Sequence, residues 1–271
     1  HGPRLHAALA GGQPISCRPV NDLALAMDLA DAADRISMDR WRAHDLRIDR
    51  KPDLSPVTEA DQAIEHLLRE RVQRDRPGHA VLGEEHGLLE GSGEWRWVVD
   101  PIDGTRSFVR GNETWATLIA LQQAGMTQVA VASAPALRLR FHAVRGEGSF
   151  VNGRRIHVSE ISSVDEALLT HTSLNGFVRV GLGPRILNLA GQCWDARGLG
   201  NSMSHLSVAR GTADIGWTAR ANGWDFAALA LIVEEAGGRF TDRSSDDATL
   251  GGTGISSNGL LHATALEAAG L

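Results

Sequence analysis

The chain has 271 residues, 42% of them hydrophobic, and a formal net charge of −6. That content can bury a sizeable core and excludes a disordered or fibrous protein, while the acidic balance and the lack of any basic run exclude nucleic acid as the main partner, because phosphate-backbone binding is driven by clustered Lys and Arg. No apolar run reaches the length of a membrane span, so no membrane partner is expected; Cys17 and Cys193 lack the spacing of a zinc site or a disulfide framework, so a reducing cytoplasm is the expected compartment.

Residues 1–19 are expected to be flexible or an added start and take no part in the fold argument. Asn21 or Asp22 can cap a first helix with Leu25, Leu29, Ala32, Ala33 and Ile36 at helical spacing, running to about His44. Thr58-Glu59-Ala60-Asp61 has the form of a capping box for a second helix, which continues through Ile64, Leu67, Leu68 and Val72 and stops at Pro77. Strand-like runs follow at 80–83, 96–99, 116–122, 128–132, 138–144 and 149–151, the last closing on an Asn152-Gly153 turn, and predict a meandering, largely antiparallel sheet. Beyond about Ser162 the pattern is mixed, with apolar runs at 168–170 and 214–218 and helices near 184–191, 201–210 and 225–236. Ala227, Ala228, Leu231, Ile232 and Val233 give the last of these an apolar face, and Gly237-Gly238 stops it. The division expected is an N-terminal α+β lobe at 20–160 carrying a metal-binding loop and a C-terminal α/β lobe at 161–271, with a cleft between them.

The chemistry concentrates in Trp97-Val98-Val99-Asp100-Pro101-Ile102-Asp103-Gly104-Thr105-Arg106-Ser107. Val98 and Val99 read as a buried strand that ends where the charges begin; Pro101 fixes φ, and Gly104 lets the backbone approach a bound group. Asp100 and Asp103 in a turn can converge on one point, and oxygen-only ligands favour Mg²⁺, Mn²⁺ or Ca²⁺ over zinc. Mg²⁺ usually completes its shell with water and substrate phosphate, which makes phosphate chemistry the leading expectation. A plain surface turn is the alternative for this segment taken alone. Gly83-Glu84-Glu85-His86 ends a strand, and a hairpin-like return could bring Glu84 beside the aspartates, with Glu85 pointing away; alone, the pair reads as a solvated loop. Asp225, at the start of its helix, and Asp61 are each explained equally well by capping. The seven tryptophans read as core or cleft wall, and His205 as a packed histidine.

Together, the stretch from Lys51-Pro52-Asp53 to Thr58-Glu59-Ala60-Asp61, Gly83-Glu84-Glu85, Asp100-Pro101-Ile102-Asp103-Gly104-Thr105 and Trp224-Asp225 through Glu235-Ala236-Gly237-Gly238 resemble the inositol monophosphatase superfamily of metal-dependent phosphatases, over about residues 20–265. Asp45-Leu46-Arg47-Ile48, Arg74-Asp75-Arg76-Pro77-Gly78, Ser133-Ala134-Pro135-Ala136-Leu137 and Ser257-Asn258-Gly259-Leu260-Leu261-His262 are most similar to its actinobacterial histidinol-phosphatase branch. The resemblance implies an α+β fold, a layered α-β-α-β-α sandwich with a largely antiparallel first sheet and a smaller second one. It also implies a homodimer and two or three Mg²⁺ ions per site. By position, Glu84, Asp100 and the Ile102 carbonyl would hold one ion; Asp100, Asp103 and Asp225 a second; a third, weaker one would lie near Glu84. Thr105 and Glu84 would orient the attacking water, with Asp61 behind Thr105, while the N–H groups of Gly104 and Thr105 would receive the phosphate. Asn201, Thr218 and Asp225 would also face the substrate.

Two of those positions depart from the family pattern. Asn201 stands where such histidinol-phosphatases carry Asp, and Thr218 where they and the inositol enzymes carry Glu, so two negative charges are missing from the leaving-group side. The function implied is Mg²⁺-dependent hydrolysis of a small phosphomonoester, with L-histidinol phosphate the nearest-relative substrate. An inositol, sugar or nucleotide phosphate, or a metal-binding protein of this fold with little turnover, is the alternative.

Overall fold

Three layers of helices enclose two β-sheets in the computed structural model, which describes residues 19–242 and 252–270. The expected loose start and Cys17 lie outside these residues, apart from Pro19, which opens a helix.

Helix α1 (Pro19–Arg40) ends before the predicted His44 because the chain turns at Trp41-Arg42, where Arg42 takes a left-handed φ of 64°. Strands β1 (Ile48–Arg50) and β2 (Pro56–Thr58) form a small antiparallel ribbon that hands the chain to α2 (Glu59–Asp75). The capping box at Thr58 and Asp61 is present: the Thr58 hydroxyl accepts from the Ala60 and Asp61 N–H groups, and the Asp61 carboxylate accepts from the Thr58 N–H. Then come β3 (Ala80–Gly83), β4 (Gly87–Leu89), β5 (Trp95–Asp103), the short helix α3 (Thr105–Val109), β6 (Ala116–Gln123), β7 (Met126–Ala134), β8 (Leu139–Val144), β9 (Gly148–Val151) and β10 (Arg154–Arg155). These strands build an eight-stranded sheet in the order β10-β9-β8-β7-β6-β5-β3-β4, antiparallel except for the parallel pair β3 and β5. Asn152 and Gly153 both have positive φ, 49° and 76°, as the predicted tight turn requires.

The second sheet draws on β11 (Leu168–His171), β12 (Asp195–Gly198), β13 (Ile215–Ala221), β14 (Arg239–Asp242) and β15 (Gly252–Ser257) in the order β12-β11-β13-β15-β14, and it is mixed. Among its helices, α4 (Leu174–Arg179), α5 (Gly183–Gln192) and α8 (His262–Ala269) cover the outer face, while α6 (Met203–Ala209) and α7 (Gly223–Glu235) lie between the sheets. The order of layers is therefore α-β-α-β-α, as expected.

Three apolar clusters hold the layers. Leu29, Ile64, Leu68 and Val72 of α1 and α2 pack with Trp97 and Val99 on one face of the large sheet. Leu231, Ile232 and Val233 of α7 pack with Leu118, Ala132 and Phe141 on its other face. Fully burying a side chain of this size contributes roughly 1.5–3 kcal/mol. The helix α7 was expected to have one apolar face; Phe226, Ala228, Leu229, Leu231, Ile232 and Val233 are all buried because it is covered by sheet on both sides. Of the tryptophans, Trp97, Trp115 and Trp217 are core, whereas Trp194 is 72% exposed and lines neither core nor cleft. No helix among the described residues is long and apolar enough to cross a membrane.

Candidate active site

The site forms where β3 and β5 end and α7 begins. In β5 the strand does not stop at Asp100, as the sequence implied; it runs to Asp103 through a bulge. Asp100 pairs with Leu118 and Asp103 with Ala116, so three steps on β5 match two on β6. On a regular strand, residues three apart point to opposite faces; the extra residue cancels that alternation and turns both carboxylates to one end of the sheet. Pro101, with no N–H to donate, suits the bulge, and its carbonyl accepts the Thr117 hydroxyl at 2.7 Å.

Glu84 reaches Asp100 by a parallel pairing and not by the hairpin return expected. Gly83 pairs with Val99, and the Glu84 N–H donates to the Val99 carbonyl at 3.3 Å. From the opposite side, Asp225 projects from the first turn of α7, its Oδ2 accepting the Asn222 N–H at 2.5 Å. Glu84, Asp100 and Asp225 each offer a carboxylate oxygen, all within 4.8 Å of one another. Asp103 lies beside this group, its Oδ2 accepting the Ser202 N–H at 2.5 Å. The Ile102 carbonyl lies 3.2 Å from the Thr105 hydroxyl, an alternative acceptor to Asp61 for its one proton.

The electrostatics of this cluster are out of balance. Asp100 is 1% exposed, and no donor among the described residues reaches either of its carboxylate oxygens. Burial, then the charges of Glu84, Asp103 and Asp225, push its carboxyl well above the ordinary range. Burial likewise raises Asp225 to about 8, with Asp103 adding to the effect and the Asn222 N–H opposing it. Asp103 is raised to about 6 by burial, against the Ser202 hydrogen bonds. One ammonium answers these charges: Lys51 Nζ lies 2.7 Å from both Glu84 Oε1 and Glu85 Oε1. Its own pKa is raised by the two glutamates against the opposing effect of burial. Glu85 does not point away from Glu84 as expected but faces the same lysine, because residues 84–86 form a turn in which the alternation of an extended strand does not hold, and burial lifts it to about 7.

Behind the cluster, the Thr105 hydroxyl is 3.3 Å from Asp61 Oδ1, while Asp61 Oδ2 accepts from the Thr58 N–H and hydroxyl at 2.8 and 2.6 Å. Burial raises Asp61 to about 6, with the Thr58 hydrogen bonds opposing it. Gly104 has φ +92°, and the Asn201 amide sits where a Cβ would go. The Asn201 amide donates to the Thr114 carbonyl at 2.9 Å and to Ser107 Oγ at 3.4 Å, so its donors tie down the loop that follows Gly104.

A cleft of about 200 Å³ opens beside Asp103 and Asp225, walled by Thr172, Ser173, Asn201, Ser202, Thr218 and Arg220. The Thr218 hydroxyl is 2.8 Å from Nε2 of the buried His205. His205 is packed, as the sequence suggested, but its hydroxyl partners were missed, and Lys51 and Glu65 were left unassigned; the buried Glu65 carboxylate holds the 84–86 turn by accepting from the Glu85 and His86 N–H groups at 2.7 and 3.0 Å. Lys51, alone of its type in the chain, was the one that carried a signal.

Residues 20–270 match the model of the inositol monophosphatase family. A histidinol-phosphatase of Mycobacterium tuberculosis is 47% identical over 247 residues, covering 89% of this chain and 95% of the relative. Another from Streptomyces coelicolor is 43% identical over 252 residues, covering 90% and 94%. Among solved structures, an IMPase of Thermotoga maritima superposes with a TM-score of 0.82 at 29% identity, covering 92% of this chain and 97% of that one.

Proposed function

The chain belongs to the inositol monophosphatase family and is a phosphomonoester hydrolase, and from that premise we propose that it hydrolyses L-histidinol phosphate to L-histidinol and inorganic phosphate with Mg²⁺ as its ion. One structural observation carries the metal dependence: a carboxylate as buried as Asp100, with both oxygens unpartnered and two further carboxylates within reach, is stable in its ionised form only beside a cation. The donors are all oxygen, which fits a hard divalent ion. The two actinobacterial relatives, both histidinol-phosphatases, support the substrate assignment, and with that substrate the reaction would belong to histidine biosynthesis. A homodimer in the cytoplasm goes with the same reading.

In this reading Glu84, Asp100 and the Ile102 carbonyl would hold one ion, Asp100, Asp103 and Asp225 a second, and Glu84 a weaker third. Bound there, the ions supply Lewis acidity that polarises the phosphoryl group and eases loss of a proton from the attacking water. The chain's own residues do the rest. Asp61 Oδ1 takes the Thr105 proton as a hydrogen bond, which leaves a lone pair of Thr105 Oγ1 to accept from the water and, together with Glu84, to aim it. The N–H groups of Gly104 and Thr105, at the start of α3 and without helical partners, donate to the phosphoryl oxygens. Asn201 keeps that loop in place from behind.

Phosphate release by the purified protein, with Mg²⁺ or EDTA, across histidinol phosphate, inositol 1-phosphate, fructose 1,6-bisphosphate and AMP tests the proposal. The expected result is Mg²⁺-dependent turnover with histidinol phosphate preferred; a preference for another ester overturns the substrate assignment, and turnover undiminished in EDTA overturns the metal assignment.

A further inference from the structure

His205 lies beneath the cleft wall, 1% exposed, with a hydroxyl on each ring nitrogen. Ser256 Oγ is 2.8 Å from Nδ1, and Thr218 Oγ1 is 2.8 Å from Nε2. Phe226 and Phe240 pack against the ring, with centroids 6.0 and 5.0 Å away, and close it off from water. No acidic side chain contacts the imidazole among the described residues, and burial alone holds its pKa down at about 3. The ring therefore stays neutral at any working pH and carries a single N–H. When that proton is on Nδ1 and donated to Ser256, Nε2 is an acceptor, and the hydrogen bond at Thr218 runs from its hydroxyl to the ring.

We propose that His205 is a positioning residue for substrate selection: it takes the Thr218 hydroxyl proton as a hydrogen bond, so that Thr218 Oγ1 turns its lone pairs to the cleft and accepts an N–H or O–H from the leaving group. The proposal rests on the reading of this cleft as the leaving-group side of a phosphatase site. Thr218 is only 6% exposed, so a leaving group without a donor leaves the lone pairs of a buried oxygen with nothing to accept from, while an ammonium or hydroxyl supplies a donor. Sites built to hydrogen-bond a substrate group reject analogues that lack it, whereas apolar pockets discriminate poorly. A neutral relay of Ser256, His205 and Thr218 thus supplies an acceptor without the charge of a carboxylate.

The test compares kcat and KM for the wild-type protein, Thr218→Val, His205→Leu, His205→Gln and the double variant, on two donor-bearing esters, histidinol phosphate and inositol 1-phosphate, and on p-nitrophenyl phosphate, which has no donor. The ratio of kcat/KM for the preferred donor-bearing ester over p-nitrophenyl phosphate is expected to fall by on the order of ten- to a hundred-fold in Thr218→Val and in His205→Leu, chiefly through KM. The double variant should lose no more than either single one. His205→Gln, whose amide oxygen can accept the Thr218 proton, should recover most of the loss. Equal losses on all three esters, an unchanged ratio in His205→Leu, or no recovery in a folded His205→Gln would each overturn the proposal. Should His205→Leu not fold, Thr218→Val against Thr218→Ser decides, since the serine keeps the hydroxyl; equal ratios in these two sink the idea. Wild-type preference for inositol 1-phosphate removes the histidinol phosphate reading and leaves the role of His205 testable on that ester; no wild-type preference for either donor-bearing ester removes the role itself.

Discussion

Asp61 and Asp100 are equally hidden from water, at 0% and 1% exposure, and their surroundings are opposite. Asp61 sits in the first turn of α2, where Thr58 and Thr105 supply three donors within the chain. Asp100 sits at the bulge of β5, where no donor among the described residues reaches it and its neighbours are carboxylates. A buried charge that the fold satisfies itself is part of the scaffold; one left unsatisfied marks what must come from outside.

The sharpest way to break this contrast is Asp100→Asn. Phosphate release with Mg²⁺ should drop on the order of a thousand-fold, as when a principal electrostatic stabiliser of the transition state is lost. The far-ultraviolet circular dichroism should persist, and the thermal midpoint without divalent ions should rise because a buried repulsion is gone; a near wild-type rate would refute the role of Asp100.

Mg²⁺ itself comes next. At a hundred times its dissociation constant it should stabilise the wild-type fold by about 2.7 kcal/mol, a shift of roughly 5–10 °C by calorimetry. Asp100→Asn should show little of this shift, whereas a variant at Thr58 should keep it.

The pH dependence separates the two kinds of burial further. In the folded chain Asp103 and Asp225 titrate at about 6 and about 8, above the carboxylate value of 3.8. Their stabilising contribution is complete below that value and lost as pH rises through 6 and then 8. The midpoint without divalent ions should therefore fall across that window, and saturating Mg²⁺ should abolish the fall. His205 works in the other sense: its folded value of about 3 is below the ordinary 6.5, so its contribution is present above 6.5 and lost as pH falls toward 3. In His205→Leu the acid side of the stability curve should flatten.

The smallest effect belongs to the satisfied region. Thr58→Ala removes the cap of α2 and should cost about 1 kcal/mol, or roughly 2–4 °C in a chain of this size. A loss of activity far beyond that would show that the Asp61 to Thr105 hydrogen bond depends on Thr58 and would blur the contrast.

What could be read from the sequence follows the range of the interactions. The Thr58 to Asp61 box spans three residues and was legible at once. The acids were identified by type, but the way they meet was not: the bulge in β5 exists only against β6, and Glu84 reaches Asp100 through a parallel pairing that a hairpin pattern does not announce. Helix α7 was read as one-faced because the second sheet that covers its far side is built from strands as short as Asp195–Gly198 and Arg239–Asp242. His205 was legible as a packed residue, but its pairing had no signal, since Thr218 and Ser256 lie 13 and 51 residues away. The family resemblance showed the missing charge at Thr218 but not the ring beneath it.

Lys51 has a practical consequence. It is the sole lysine of the chain, and its Nζ is shared between Glu84 and Glu85 at the mouth of the site. Activated esters, such as succinimidyl dyes or the surfaces used to fix proteins to sensor chips, react only with neutral amines, and two glutamates hold this one as an ammonium. Such reagents should therefore leave the active site unlabelled at neutral pH, and labelling of Lys51 would report that its glutamates had let go of it.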